Sequence, residues 1–502
     1  MKSSSATAFI LSFALMLTLG CASTHQTRKA ADPSASRIDP MADVASDNVQ
    51  PIDEHESTPS AIRLVTHQEL SIAPEPGDSF EESAVATDEV EIVANANNSM
   101  TLAAFEELAM HNNPAICQAA AAARQAAGVH AQVGLKPNPS VGYFGDEFGN
   151  DSTSGLQGAY MTQAIVRGKK LAWNRTVLGH DVDTYRWLTE AQRYRVQTDV
   201  RVKFYEALGA QKRLELARQF RGVAEAGVDV SKELLRVREG ARPDVLQSEV
   251  QLSEVDLMIQ QARFEFDAAW NELAAIVGMP TLAPTVLVGD LSLPKTDRDI
   301  EGVYAQMLAE SPVLSAACAQ VRRARANLQR QRVQAIPNVN AQLGAGYDDG
   351  TGDEFANVQI SMPIPVHNKN QGNIQAAYAQ YSAATQNVRR LKLQMRRNLA
   401  QSMRAYEIAK ATVQQYEESI LPRVSESLDL VQNAHALGEF EFLRVLTARR
   451  AFFDANFKYV TAQAELAQAN SAIDGLLLTG GLDQSITYSG GDDLRGAALS
   501  GQ

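Results

Sequence analysis

The stretch VNAQLGAGYDDGTGDEFANVQISM, residues 339–362, gives the strongest structural signal in the sequence. Apolar and polar residues alternate along 339–347, and the alternation resumes along 355–362 after a loop rich in Gly and Asp. A period of two residues is typical of β-strands, because successive side chains point to opposite faces of a sheet. The stretch therefore predicts an antiparallel hairpin with one apolar face and one polar face.

A weaker copy of this hairpin lies earlier in the chain, with strands predicted at about 140–147 and 156–163. Taken alone, such hairpins are more often half-buried strands of a soluble sheet. Strands of about nine residues with unlike faces are, however, long enough for a tilted crossing of an outer membrane. Four strands cannot close a barrel in lipid, which requires at least about eight strands. Three chains would supply about twelve strands, so we predict a homotrimer that shares one β-barrel.

The two hairpins belong to a longer internal duplication. Three landmarks recur at offsets of 198, 200 and 198 residues, namely Pro114 and Pro312, Pro137-Asn138 and Pro337-Asn338, and Gly240 and Gly438. Such an interval is far longer than the roughly 20–50 residues of solenoid repeats, so each unit is a domain-sized piece. We therefore predict a first repeat at 100–295 and a second repeat at 296–480.

Each hairpin is followed by a very long helical stretch, predicted at Lys169–Arg238 and at Gln371–Ala436. About 70 helical residues span about 100 Å, which no globular domain of this size would hold. A return helix follows each stretch, so antiparallel coiled coils are predicted at about 169–278 and 371–478. Pro422 should bend or break the second descending helix. The fold class is therefore mainly α with β-hairpins.

The first coiled coil carries heptad spacing on both of its helices, which predicts the buried seam between them. The predicted seam residues of the descending helix are Leu216, Phe220, Val223, Gly227, Val230, Leu234 and Val237. Those of the return helix are Ser248, Leu252, Val255, Ile259, Ala262, Phe266, Ala269 and Leu273.

The coiled coils end in turns at 239–244 and 437–441. Gly240 and Gly438 are expected to supply the positive φ that ends each descending helix. These residues are explained either by turn chemistry alone or by a docking surface at the exposed tip of a coiled coil. The residues assigned to that docking surface are Gly240, Ala241, Arg242, Pro243, Gly438, Glu439, Phe440 and Glu441.

The N-terminal sequence predicts export of the chain. Lys2 and an apolar stretch precede Gly20-Cys21, so residues 1–20 are predicted to be a signal peptide and Cys21 the lipidated residue. An uncleaved anchor is the alternative, but about twelve apolar residues are too few to span a bilayer as a helix. The expected destination is the outer membrane.

The ends of the chain are expected to be disordered, with an acidic linker at 21–99 and a tail at 481–502. From Ala22 to Ser99 there are 15 Asp and Glu against 4 Lys and Arg, so 11 of the 13 net negative charges lie here. The rest of the chain is almost neutral, which argues against a nucleic-acid partner.

The sequence contains no convergent group of catalytic or ligating residues. The eight histidines are scattered without the spacing of metal ligands. The glycines of 344–346 lie on a predicted strand and not between a strand and a helix, as a phosphate loop requires. Cys117 and Cys318 are not equivalent in the two repeats and are interpreted as packing residues. We therefore predict a protein that is not an enzyme and that requires no cofactor or metal.

Together these residues resemble the TolC-type outer-membrane efflux protein family over about Met100–Leu478. The segments that carry the resemblance are Asn113-Pro114, Pro137-Asn138-Pro139, Gly240–Glu249, Met362-Pro363-Ile364-Pro365, Asn370-Gln371-Gly372-Asn373 and Leu437–Leu446. Arg167-Gly168-Lys169-Lys170 is similar to the Gly-Lys-Arg of heavy-metal efflux members. Gln163–Val166 departs from the proline-containing segment that the family often shows.

The resemblance implies a homotrimer whose 12-stranded β-barrel lies in outer-membrane lipid and continues as an α-helical barrel across the periplasm. It implies a passive conduit of a tripartite efflux system for small molecules or metal ions. The coiled-coil tips would dock on a periplasmic adaptor, which joins an inner-membrane pump of the RND or ABC type. A type I protein secretion channel and a non-conducting coiled-coil envelope spacer are the alternatives.

The resemblance also points to a periplasmic gate near the tips. Arg444 and Thr447 stand where some family members carry gating aspartates. Together with Asp244 they are the candidate gate residues. The cation-selective gate of those members is not carried over to this chain, because neither Arg444 nor Thr447 is acidic.

Overall fold

The architecture is given by a computed structural model, which describes residues 99–146, 155–292, 297–490 and 492–500. The predicted signal peptide, Cys21 and nearly all of the acidic linker lie outside these residues. The helices of the described part are α1 (Leu102–Asn112), α2 (Pro114–Val133), α3 (Lys170–Arg236), α4 (Arg242–Val277), α5 (Ile300–Glu310), α6 (Pro312–Gln334), α7 (Gln371–Gln415), α8 (Leu421–Ala436), α9 (Phe442–Asp474) and α10 (Asp492–Ser500).

The strands form two sheets. A short parallel pair joins β1 (Ser99–Thr101) to β4 (Val286–Val288). The larger sheet is antiparallel and has the order β2-β3-β5-β6, from β2 (Ser140–Asp146), β3 (Leu156–Ile165), β5 (Val339–Asp348) and β6 (Asp353–Ser361). The central β3–β5 pair joins one hairpin from each repeat. The predicted mainly α fold with β-hairpins is therefore confirmed.

Proline starts the second helix of each repeat. Pro114 and Pro312 are the first residues of α2 and α6, where the missing N–H has no intrahelical partner to lose. Asn113 caps α2 by accepting from Ala115 N–H, and Ser311 caps α6 by accepting from Leu314 N–H. The repeated landmark thus marks the sharp boundary between two consecutive helices.

The first coiled coil is formed by α3, which is 67 residues long, and α4. In α4 the heptad prediction holds at Val255, Ala262 and Ala269, which are buried. In α3 the predicted seam is correct at Gly227, which is buried, and wrong at Val223, Val230 and Val237, which are exposed. The buried positions of this part of α3 are Leu214, Ala217, Ala224, Gly227, Val228 and Ser231.

The register error has a physical cause. The helix α3 contacts α4, α6 and α9 along its length, so more than one of its faces is covered by neighbouring helices. Small residues such as Ala224 and Ser231 occupy the close contacts, while the larger valines point outward. A rule that assigns the largest apolar residues to the seam therefore selects the wrong face.

Of the two outcomes predicted at Pro422, a bend or a break, the break does not occur. Residues Tyr416–Ile420 form a π-helical turn, and the Leu421 N–H bonds to the Tyr416 carbonyl five residues earlier. A proline within an α-helix lacks the N–H donor, and its ring collides with the carbonyl four residues before it. The wider turn directly before Pro422 relieves this collision, so the helical conformation continues from α7 into α8.

The largest hydrophobic core lies where α1, α3 and α4 meet. Trp270 is buried there, with its ring centroid 5.8 Å from that of Phe105 and 6.2 Å from that of Phe266. Its Nε1–H donates to the Leu282 carbonyl at 2.8 Å, so the one polar group of the indole is satisfied. This core fixes the first coiled coil to the short helix that opens the repeat.

The prediction of a disordered tail at 481–502 is wrong for the described part of that segment. The Gly480 and Gly481 N–H groups donate to the carboxylate of Asp199 at 3.2 and 2.6 Å. Burial raises the pKa of Asp199, whereas these two donors act to lower it. Farther along, Ile486 is buried against Ala119 on α2.

The helix α10 lies beyond this packed segment and supplies carbonyl acceptors to buried side chains. Asn174 donates to the Leu494 carbonyl at 2.8 Å, and Asn338 donates to the Ala498 carbonyl at 2.7 Å. Arg330 also donates to the Leu494 carbonyl at 3.3 Å. The tail is ordered by these long-range backbone acceptors, which no local sequence pattern reveals.

Candidate functional site: a two-faced sheet and two helical tips

The four-stranded sheet exposes its apolar face. Val141, Met161, Leu343 and Val358 stand in one row across the four strands and are 81, 45, 54 and 68% exposed, respectively. Ile360, on the same face of β6, is also largely exposed. A contiguous patch of large apolar side chains at the surface marks a face that is covered by lipid or by another chain.

The opposite face of the sheet is polar. The neighbouring row contains Ser140, Thr162, Gln342 and Gln359, in register across the same four strands. Thr162 donates to Gln342 Oε1 at 3.5 Å, at the limit of a hydrogen bond. The alternation read from the sequence therefore places amide and hydroxyl groups on one side and aliphatic groups on the other.

Both outer edges of the sheet are open among the described residues, because β2 pairs only with β3 and β6 pairs only with β5. An open edge presents unpaired N–H and C=O groups, which soluble proteins usually protect with charges or covering loops. The edge strand β6 instead carries the exposed apolar residues Val358 and Ile360. Within the described residues the sheet is therefore left incomplete at both edges.

A buried polar cluster joins the sheet to the helices. The Lys170 ammonium, at the start of α3, donates to Asn338 Oδ1 at 3.0 Å. On α6, the Arg330 guanidinium donates to Asn174 Oδ1 at 3.0 Å. Burial, and then the nearby charge of Arg330, lower the pKa of Lys170. Asn338 belongs to the repeated Pro-Asn landmark, which is the signal that could have identified this cluster.

The two tips have the same backbone geometry, with an offset of 200 residues. The Glu239 N–H bonds to the Leu234 carbonyl, and the Glu439 N–H bonds to the Ala434 carbonyl, both at 2.9 Å. This bond closes the end of each descending helix in the manner of a Schellman motif. The return helices α4 and α9 begin at Arg242 and Phe442, which are also 200 residues apart.

Only one of the two predicted glycine roles is correct. Gly438 has φ 76°, as expected for the residue that ends α8. In the first tip the left-handed residue is Arg238, with φ 64°, and Gly240 is not its equivalent. Gly240 is instead in close contact with α3, because an added Cβ would lie 2.9 Å from the Leu234 Cβ.

The tips differ at the third residue of their return helices. In the first tip this residue is Asp244, whose Oδ2 accepts from the Ala241 N–H at 3.0 Å and so caps α4. In the second tip it is Arg444, whose guanidinium carbon lies 4.5 Å above the centroid of the Phe440 ring. A cation at a helix N-terminus is disfavoured by the helix dipole, and the aromatic face offers it a favourable contact.

The remaining tip residues are at the surface. Arg242, Pro243, Glu439 and Glu441 are exposed. Thr447 is also exposed, and its hydroxyl donates to the Leu443 carbonyl at 3.0 Å. Each tip thus exposes charged side chains to solvent, Arg242 in the first tip and Glu439 and Glu441 in the second.

Neither a metal centre nor a helical membrane span is found in the described parts of the chain. Within residues 99–146, 155–292, 297–490 and 492–500, no three His, Cys, Asp or Glu side chains are grouped so that they could hold a metal ion. The helices of those same ranges include none that is both long and apolar enough to cross a bilayer. Cys117 and Cys318 are free thiols.

Comparison with known proteins gives concordant results. The model of the family described as outer membrane efflux protein matches residues 303–477. The chain is 24% identical to the cobalt-zinc-cadmium resistance protein CzcC of Cupriavidus metallidurans over 387 residues, which cover 76% of this chain and 91% of CzcC.

Two solved structures have a similar fold. The outer membrane protein VceC of Vibrio cholerae matches with a TM-score of 0.62 and 16% identity, covering 76% of this chain and 96% of VceC. The open state of the MtrE outer membrane channel of Neisseria gonorrhoeae matches with a TM-score of 0.60 and 16% identity, covering 77% of this chain and 91% of MtrE. The chain therefore shares the fold of these two outer-membrane proteins. These matches confirm the resemblance to the TolC-type outer-membrane efflux protein family that the sequence predicts, with the family model matching residues 303–477.

Proposed function

We propose that three copies of this chain form a passive channel that exports small molecules or metal ions across the outer membrane. The observation that carries this proposal is the sheet, which has an exposed apolar face, a polar face and two open edges. Pairing β2 of one copy with β6 of the next would close twelve strands into a barrel, since each copy contributes four. The apolar face would then contact lipid and the polar face would line water.

The long helices support a channel that extends from the outer membrane into the periplasm. The 67 residues of α3 would reach about 100 Å from the sheet at about 1.5 Å per residue. Such a length suits a periplasmic duct, with the tips far from the membrane. The side chains exposed along these helices, such as Val223 and Leu257, would be covered by neighbouring copies.

The export cargo is proposed from two features. CzcC is named for resistance to cobalt, zinc and cadmium, and the chain matches most of its length. Arg167-Gly168-Lys169-Lys170, similar to the segment of heavy-metal members, directly follows β3 and begins α3. Of the two proposed classes of exported substrate, we favour metal ions over small molecules. An inner-membrane pump of the RND or ABC type would select the substrate. Cys21 is proposed as a lipid anchor in the outer membrane.

The proposed channel activity is tested by adding the purified protein to a planar lipid bilayer. Discrete conductance steps are expected, because a closed barrel with a polar interior carries ions. Trimers that give no conductance, even after the tips are loosened by substitution, would favour a non-conducting envelope spacer. A spacer has no need for a sheet with one polar and one apolar face.

We also propose that the tips bind a periplasmic adaptor. The docking surface comprises Gly240, Ala241, Arg242, Pro243, Gly438, Glu439, Phe440 and Glu441, and its geometry repeats in the two tips. Gly438 is unsuitable as a probe of docking, because any side chain at φ 76° would strain the turn itself. The exposed Arg242 is a better probe, since its replacement leaves the backbone of the turn unchanged.

The Arg242→Glu variant is expected to lower cross-linking of the chain to its periplasmic adaptor roughly tenfold, because an interface charge is reversed. The matched control is Arg263→Glu, which makes the same charge change at an exposed site within α4 and away from the tip. The control should retain cross-linking within about twofold. Equal cross-linking in both variants would limit Arg242 to turn formation.

The gate is proposed at the same end of the molecule. Asp244 and Arg444 occupy equivalent positions in the two tips, and Thr447 lies one turn farther along α9. With three copies arranged around one axis, these residues would alternate acidic and basic groups at the narrow end. Such an arrangement offers salt bridges between hairpins that hold the duct closed.

A further inference from the structure

An aromatic layer interrupts the polar face of the sheet near the end that carries the two hairpin loops. Phe144, Gly158, Gly346 and Phe355 stand in one row across the four strands. The two phenylalanine rings are 5.9 Å apart. Tyr160, in the next row, has its ring 6.3 Å from that of Phe144.

Each ring of this layer lies over a glycine. A Cβ added to Gly158 would be 2.8 Å from the Phe144 Cζ, and one added to Gly346 would be 2.8 Å from the Phe355 Cζ. The Tyr160 ring covers Gly142 in the same manner, at 2.6 Å. The glycines thus leave room for the rings to lie close to the backbone of the neighbouring strands, and all three rings remain partly exposed.

The exposed parts of these aromatic rings favour cations as ligands. The face of an aromatic ring carries the negative part of its quadrupole, and it attracts organic cations, quaternary ammonium ions above all. The next row toward the loops contains Asp146, Asp348 and Asp353, so carboxylates adjoin the rings. On the other side of the layer the face carries neutral groups such as those of Thr162 and Gln342.

We propose that Phe144, Tyr160 and Phe355 form a binding site for organic cations in the outer mouth of the pore. The site rests on the proposed function, because the polar face must line the channel. Three copies would place nine aromatic rings around one level of the bore. A cation that leaves the duct would pass this level directly before the outer carboxylates.

The probe is tetraethylammonium, added to the loop side of a bilayer that contains the full-length protein. It is expected to block the single-channel current of the unmodified protein. In the Phe144→Ala/Phe355→Ala double variant, the concentration for half block should rise roughly tenfold, because two cation–π contacts per chain are lost. The Phe144→Leu/Phe355→Leu variant keeps apolar bulk, and it should lose block to a similar extent.

The matched control is Tyr143→Ala/Tyr347→Ala, which removes two aromatic rings from the opposite face of the same sheet, on β2 and β5. Its block should equal that of the unmodified protein. Unchanged block in both phenylalanine variants, or no block of the unmodified channel, would overturn the site while leaving the channel intact. A complete lack of conductance in the unmodified protein would overturn the site and the proposed function together.

Discussion

A chain with arginine in place of Leu343 is expected to be lost from the outer membrane as an assembled trimer. Leu343 lies at the middle of β5, on the exposed apolar face, in the row with Val141, Met161 and Val358. Arginine facing lipid at the middle of a membrane strand costs about 2–4 kcal/mol, so three copies in one barrel would cost roughly 6–12 kcal/mol. Trimer in outer-membrane fractions is measured by gel electrophoresis without boiling.

The control for this substitution is Gln342→Arg, one residue away on the same strand. Gln342 faces the polar side in the row with Thr162 and Gln359, where an arginine remains in contact with water. This variant should assemble at close to the normal level. Equal loss of trimer in both variants would contradict the assignment of the two faces, because only the direction of the side chain differs.

The second large effect is expected from Trp270→Ala. Trp270 is buried between Phe105 and Phe266 and donates its Nε1–H to the Leu282 carbonyl. Removal of the indole should lower the free energy of unfolding by about 3–5 kcal/mol, since it leaves a cavity and an unpaired carbonyl. The measurement is the loss of helical circular dichroism of purified protein on heating or in denaturant.

Gln261→Ala is the matched control for this core substitution. Gln261 lies on the same helix and its polar side chain is exposed, so its truncation should change the free energy of unfolding by only about 0.5 kcal/mol. An equal effect of the two variants would contradict the assignment of Trp270 to the core.

The features that were predictable from the sequence are those with a strict period. In the 339–362 hairpin the alternation fixed the faces of β5 and β6, and the observed register pairs Leu343 with Val358 on the apolar side. Pro114 and Pro312 recur at equivalent positions of the two repeats and correctly located the starts of α2 and α6. Proline is favourable in the first turn of a helix and unfavourable farther inside it.

Other features leave no periodic signal in the sequence, because they depend on backbone hydrogen bonds or on contacts that form only in the folded chain. Arg238 adopts a positive φ where a glycine was expected, because equivalent hydrogen bonds, to the Leu234 carbonyl in the first tip and the Ala434 carbonyl in the second, close both tips. The π-helical turn before Pro422 and the ordering of α10 by Asn338 are of this kind. In the aromatic layer, Phe144 and Gly158 meet only after strand pairing.

In the proposed assembly, one chain supplies only four strands of the barrel, and three copies close it. Native mass spectrometry of the purified protein, released from detergent micelles, measures the number of chains directly. Three copies per particle are predicted, since four strands from each copy are needed for a closed barrel of about twelve. A stable, folded single chain that remains soluble without detergent would contradict this proposal. The open edges of its sheet would then need no neighbouring copy, and its apolar face would need no lipid.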